Sequence, residues 1–419
     1  MLYDRWRQTV KENRNELALR DNTAAKAMTF VELDAAAEKA APTPGPIAFP
    51  QGISTDFVIA VLRAWRDGKQ VCPLETGQES PALGGSPPGC VHLKTTSATS
   101  GPPKVIAFTA EQLMADADHI VATMGLRRDW PNLGVISLAH SYGFSNLVLP
   151  LLLQGIPLIL VNSPLPEAVR RAGLTWDAVT LAAVPALWRA WSDAGAITAN
   201  IRLAISAGAP LPLPLEQAVF ETAGIKIHNF YGASECGGIA YDATSAPRAD
   251  GACVGTPMKN VDLSVNDEGC LEVRGGAVGL TYWPEPETNL ADGCYRTSDL
   301  AELKGGVVLL HGRASDVINV AGRKVTPETV EQALRKHPQV RDCLVFGVPG
   351  GEAERLEIIV ACVAVRSQTG AEELRQFLLQ QLPSWQVPRE WMFVESLEAN
   401  QRGKLSRSEW RRLFQERSR

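Results

Sequence analysis

Apolar runs of strand length alternate with stretches of helical periodicity along most of this chain, and that alternation constrains the fold more than any other feature. Residues 135–139, 157–161, 178–183 and 202–206 are such runs, each bounded by Pro, Gly, Asn or Ser. Continuously apolar strands joined through helices imply parallel pairing, with the helices laid over the sheet faces. The first 270 residues therefore predict one large, multi-layer α/β body. It carries no internal repeat or low-complexity segment, and the Pro/Gly-rich residues 81–89 predict a loop.

After Arg313 the pattern changes. Thr326 is placed to cap a helix with Pro327 at its first position, Val330, Ala333 and Leu334 share one apolar face, and Pro338 closes the segment. Strand-like runs follow at 343–348, 356–365 and 391–394, with a second helix expected over 371–382. The reading is a large N-terminal domain, 1–312, followed by a small mobile α+β lid domain, 313–419, with the boundary between Gly312 and Asp316.

Composition excludes several classes of function. Lys and Arg number 41 against 46 Asp and Glu with no long basic run, which argues against nucleic acid or an anionic membrane as partner. The longest apolar stretch, 147–161, is interrupted by Pro150, Gln154, Gly155 and Pro157 and is too short to span a bilayer. Asp4, Arg5 and Arg7 at the start leave no room for a secretory h-region, so a cytoplasmic location is expected. Eight cysteines scattered singly, without metal-ligand or redox spacing, read as reduced and mostly buried thiols.

Three stretches carry residue types suited to nucleotide chemistry. Thr95, Thr96, Ser97, Thr99 and Ser100 precede Gly101 and Lys104, a donor-rich turn that can cradle phosphate without being a Walker A loop; a solvated turn is the alternative. Asn229, Phe230, Tyr231, Gly232, Ser234 and Glu235 combine an aromatic for base stacking, a glycine for close approach, a hydroxyl and a carboxylate for Mg²⁺. The alternative there is a strand end whose Tyr231 packs and whose Glu235 faces water. Asp299 suits ribose hydroxyls and Arg313 suits ribose or phosphate oxygens, though either alone reads equally as an exposed charge.

Their order along the chain resembles the ANL superfamily of adenylate-forming enzymes, which includes acyl-CoA synthetases, adenylation domains and luciferases. Residues 96–104 resemble its phosphate loop, 206–210 its adenine-side segment, 229–235 its Tyr-Gly-x-Thr-Glu motif and 297–299 its Thr-Gly-Asp. Residues 312–331 resemble its hinge region, and Arg402-Gly403-Lys404 its C-terminal catalytic lysine motif. The chain departs from the pattern at Ala98, Val105, Ser298, Ser315, Glu398 and Asn400, and it is short between Pro73 and Val91, which implies a trimmed N-terminal subdomain.

The resemblance implies ATP-dependent conversion of a carboxylic acid to acyl-AMP, then transfer to the thiol of CoA or of a carrier protein's phosphopantetheine. Lys404, Glu235, Ser234 and His140 would be catalytic. Thr96, Ser97, Thr99, Ser100, Gly101 and Lys104 would bind phosphates, with Mg²⁺ on Glu235 and Thr99. Gly208, Ala209, Pro210, Asn229, Phe230, Tyr231 and Gly232 would surround the base, Asp299 and Arg313 would hold the ribose, and Gly322 and Lys324 would serve the second half-reaction. His140 to Phe144 resembles the acyl-pocket segment and lacks an Asp for an α-ammonium group, so an apolar or aromatic, non-amino acid is expected. Cys236 need not be a nucleophile, because the thiol belongs to the acceptor. A luciferase-like oxidoreductase and a non-catalytic nucleotide-binding relative are the other readings.

Overall fold

The computed structural model describes residues 1–22, 26–96, 104–350, 357–366, 369–397 and 406–417. Its main sheet has a parallel half in which Leu17–Asp21, Leu158–Leu160, Asn132–Gly134, Val179–Ala183, Ile201–Ser206 and Ile227–Ala233 lie side by side. All of Val179–Ala183 is buried, as expected of a strand covered on both faces. Helix Ala110–Met124 packs on strand Gly237–Tyr241. Thr109 caps its first turn by accepting from the Gln112 amide, and Gln112 Oε1 accepts the Thr109 amide at 2.8 Å.

Strand Ile227–Ala233 is the switch point. It runs parallel to Ile201–Ser206 on one side and antiparallel to Gly237–Tyr241 on the other. From there the sheet continues antiparallel through Cys253–Pro257, Val307–Arg313, Cys294–Lys304, Cys270–Gly275 and Val261–Val265. The segments leaving the carboxyl ends of the parallel strands, where open α/β sheets bind ligands, lead to His140, to Gly208 and to the turn at Glu235. A second sheet orders Thr281–Trp283, Val105–Phe108, His92–Thr95, Gln70–Val71 and Ile47–Ala48.

The C-terminal unit is built on Val340–Pro349, Glu357–Val365 and Glu390–Val394. Alternation along the first of these sends Cys343 and Val345 into one apolar cluster with Val330, Leu334, Leu374 and Leu378. Leu344, Phe346 and Val348 enter a second cluster, closed by Trp410 of helix Arg407–Arg417.

Several expectations shift. Residues 135–139 are not a strand; the strand is Asn132–Gly134, and beyond it the Ser137 hydroxyl bonds Glu75 and the Ala139 amide, so buried loop residues mimic a strand's apolar pattern. The helix begun at Ala371 ends at Leu379 rather than 382, ahead of Pro383. Thr326 sits at the N-cap of Pro327–Leu334, but its hydroxyl pairs with that of Thr329 instead of capping an amide. Helix Arg407–Arg417 was not foreseen. All eight cysteines are free thiols.

A buried charge cluster joins helix Leu213–Ala223 to the switch region. Glu216 accepts from Lys226 and from Arg248 Nε at 2.9 Å, while Lys226 also reaches Asp242 at 2.6 Å. Glu216→Ala strands a buried guanidinium, so it should cost about 3–5 kcal/mol in urea unfolding, and Glu216→Leu/Arg248→Met should recover most of that loss.

Candidate active site

Antiparallel register places Asp299 directly opposite Arg313. Arg313 Nε donates to Asp299 Oδ1 at 3.2 Å, and the Tyr231 hydroxyl donates to Oδ2 at 2.5 Å. The Asp299 amide is fixed by Thr297 Oγ1 at 3.0 Å. Burial pushes the Tyr231 phenol well up, and the neighbouring Asp299 charge adds to the shift. Burial works against the Arg313 cation, but the charge and hydrogen bond of Asp299, together with Asp316 and Tyr231, hold the guanidinium more firmly charged than usual. An ionised carboxylate has about four lone-pair positions, so Asp299 retains capacity for a ligand diol.

The turn after Ala233 carries Ser234, Glu235 and Cys236. It is tight because Gly232 pairs with Gly238 and Ala233 with Gly237. Gly237 has φ +69°, and a Cβ there would fall 2.1 Å from Asp116 Oδ1, so no other residue fits. Asp116 itself accepts the Gly238 amide at 3.3 Å and the Ser145 hydroxyl at 2.5 Å. Lys94 Nζ stands 3.8 Å from Asp116 and 4.5 Å from the Phe108 ring centroid. Burial lowers the Lys94 pKa against the opposing pull of Asp116, Cys236 and Glu235.

Glu235 Oε1 accepts the Tyr282 hydroxyl at 2.9 Å, and the Glu235 carbonyl accepts the Gly279 amide at 2.7 Å. Burial and then the charge of Glu235 push the Tyr295 phenol well up, with a smaller contribution from Asp299. Among the described residues no group of three His, Cys, Asp or Glu side chains could hold a metal ion. Glu235 alone fits Mg²⁺, which commonly takes one or two protein carboxylates together with substrate phosphates and water.

The Thr96 amide donates to the Lys104 carbonyl at 2.8 Å and the Lys104 amide to Thr96 Oγ1 at 3.0 Å. Ser97, Thr99, Ser100, Gly101 and Lys404 lie outside the described residues. Gly208 and Pro210 are exposed and Ala209 is half-buried at the end of Ile201–Ser206, with Gly208 at φ +85°. Asn229 is buried opposite Ser206. Phe230 faces the core, only 6% exposed and packed on Tyr142, whereas Gly232 is exposed.

His140 is half-buried, and its Nδ1 accepts the Tyr142 amide at 3.3 Å. Gly322 and Lys324 are exposed on the hairpin Ile318–Val320/Arg323–Val325. The structure thus joins Tyr231, Asp299 and Arg313 directly, and joins Glu235 to Lys104 through Tyr282, whose ring lies 5.1 Å from the Lys104 ammonium.

Sequence reasoning missed Tyr282, Lys94, Asp116 and Ser145. A lysine inside the strand His92–Thr95 was a usable signal, since a charge on a buried strand requires a partner. Cys236 is buried, and burial followed by the Glu235 charge raises its thiol pKa well above the ordinary range. Iodoacetamide at pH 8 should therefore leave Cys236 unmodified in the native protein and label it after unfolding, as read by peptide mass mapping.

The sequence profile of the AMP-binding enzyme family matches residues 66–283, and that of the AMP-binding enzyme C-terminal domain matches residues 329–404. A probable 2-succinylbenzoate–CoA ligase of Mycobacterium tuberculosis is 32% identical over 338 residues, covering 76% of this chain and 83% of the relative. An anthranilate–CoA ligase of Pseudomonas aeruginosa is 28% identical over 353 residues, 78% of this chain and 67% of the relative. The crystal structure of ATP-bound MatB from Rhodopseudomonas palustris shares the fold, with TM-score 0.87 at 18% identity over 100% of this chain and 99% of that one. The chain therefore belongs to the AMP-binding enzyme family, within the ANL superfamily, and is an AMP-forming acid–thiol ligase.

Proposed function

We propose that this ligase activates an apolar or aromatic, non-amino carboxylic acid with ATP and passes the acyl group to the thiol of CoA. The convergence of Tyr231, Asp299 and Arg313 on one point carries the reading, because it assembles a nucleoside site from three separate sequence motifs. The two relatives described above are named as CoA ligases of 2-succinylbenzoate and anthranilate, both aromatic acids, which supports the aromatic reading of the acid and CoA as the acceptor.

In the first half-reaction a carboxylate oxygen bonds to the α-phosphorus as the bond to the pyrophosphate oxygen breaks, leaving acyl-AMP and pyrophosphate. Two anions must meet while charge builds on the leaving group, so positioning and charge neutralisation do the work. Tyr231 and Gly208 to Pro210 border the base, with Asn229, Phe230 and Gly232 shaping the strand beneath it. Asp299 and Arg313 hold the ribose, and Thr96 to Gly101 with Lys104 bind the phosphates. Glu235 and Thr99 would hold Mg²⁺, which when bound would supply Lewis-acid neutralisation of phosphate oxygens. Ser234 and His140 border the reacting acid, and Lys404 brings a further cation from the small unit.

In the second half-reaction the CoA sulfur bonds to the acyl carbon, and AMP leaves with the electrons of the broken acyl–oxygen bond. The functional units are 1–312 and 313–419, and rotation between them brings the Gly322 to Lys324 hairpin to the site in place of Lys404.

Pyrophosphate–ATP isotope exchange over a panel of acids should be supported by aryl or fatty acids. Exchange with an α-amino acid alone would overturn the substrate reading. Lys404→Ala should slow adenylation by roughly 10² or more while transfer from supplied acyl-AMP to CoA largely survives. Equal losses in both halves would indicate misfolding, and no loss in adenylation would remove Lys404 from catalysis.

A further inference from the structure

Lys104 is paired within the chain. Its ammonium contacts both carboxylate oxygens of Glu287, at 2.6 and 2.8 Å, across 183 residues of sequence. The same ammonium lies on the ring of Tyr282, whose hydroxyl holds Glu235. Both ends of the pair are anchored through backbone and free only in their side chains. Lys104 is pinned to Thr96 by amide and carbonyl, and the Glu287 carbonyl accepts the amide of Leu290, a buried residue. The pair is nevertheless open to solvent, with 47% of the lysine side chain and 37% of the glutamate side chain exposed. An exposed pair of this kind contributes little to holding a fold.

We infer that Glu287 is the resting partner of Lys104, and that the phosphates of ATP take the ammonium from it by exchange. The inference rests on the assignment of Lys104 to the phosphate site made above. A polyphosphate outcompetes one carboxylate for a cation because its charges add, yet each binding event must first break the Lys104–Glu287 contact. Glu287 therefore weakens nucleotide binding, and it recaptures the ammonium when pyrophosphate departs. It touches neither substrate nor the reacting atoms, so its part is to position Lys104.

The sign of the effect separates this role from a structural one. Calorimetry on the full chain should show Glu287→Gln binding ATP about two- to fivefold more tightly, the range open to an exposed ion pair, with adenosine affinity unchanged. Lys104→Met should weaken ATP binding, and adding Glu287→Gln to it should give no further gain. Melting temperatures establish that each variant is folded. If Lys104→Met weakens ATP binding while Glu287→Gln leaves it unchanged or weakens it, the exchange is overturned and the phosphate assignment stands. If Lys104→Met has no effect on ATP affinity, the assignment of Lys104 fails and the exchange fails with it.

Discussion

Asp116 is the fixed point of the site. It lies in the middle of helix Ala110–Met124, buried, and its carboxylate receives the Gly238 amide, the Ser145 hydroxyl and the charge of Lys94. These partners come from the turn behind Glu235, from the segment that follows His140, and from the strand His92–Thr95. A buried ion pair adds little net stability, because desolvation consumes most of the Coulombic gain. Its consequence here is geometric: the anion can be satisfied only if all three segments take one arrangement. Gly237 belongs to the same constraint, since any side chain there would occupy the position of the carboxylate.

The cluster of Tyr231, Asp299 and Arg313 depends on a different balance. Asp299 and Arg313 are cross-strand neighbours, so their separation is set by sheet register and not by long flexible side chains. Burial alone would favour a neutral Tyr231 and would penalise the Arg313 cation. The carboxylate between them reinforces the first effect and opposes the second. The hydrogen bonds of Tyr231 and Arg313 to the two oxygens of Asp299 hold the three side chains in one arrangement, which is the preorganisation that positional catalysis needs.

How much of this was legible in the sequence follows from how local each signal is. Strands Leu158–Leu160, Val179–Ala183 and Ile201–Ser206 were readable because a continuous apolar run between turn residues has few other interpretations. The strand expected at 135–139 was misplaced because buried loop residues carry the same composition. Tyr231, Asp299 and Arg313 could be named from ordered motifs, but their contact could not, since it depends on the register between Cys294–Lys304 and Val307–Arg313. Phe230 was grouped with the base-facing residues by its place in a motif, yet strand alternation turns it to the core beside Tyr142. Tyr282 and Glu287 left no signal, because strand Thr281–Trp283 meets Val105–Phe108 across 174 to 178 residues of sequence.

The start of helix Arg407–Arg417 shows the same economy of constraint in the small unit. A cation in a helix's first turn opposes the helix dipole, so Arg407 is not placed there for the helix. Its guanidinium bonds Asp316 at 3.0 Å, Glu328 at 2.7 Å and Glu331 at 2.8 Å, and its Nε donates to the Val345 carbonyl. The second oxygen of Glu328 is buried, has no hydrogen-bond partner among the described residues, and abuts Gly312, where φ is +112° and a Cβ would lie 2.1 Å from it. Burial raises the Glu328 pKa, Arg407 opposes the rise, and Glu331 and Asp316 add to it. Every partner of Arg407 lies on the C-terminal side of Ser315, whereas Gly312 lies on the other. The Arg407 cluster therefore ties helix Arg407–Arg417 to Asp316, to helix Pro327–Leu334 and to strand Val340–Pro349, while the unbonded oxygen of Glu328 faces Gly312 on the other side of Ser315.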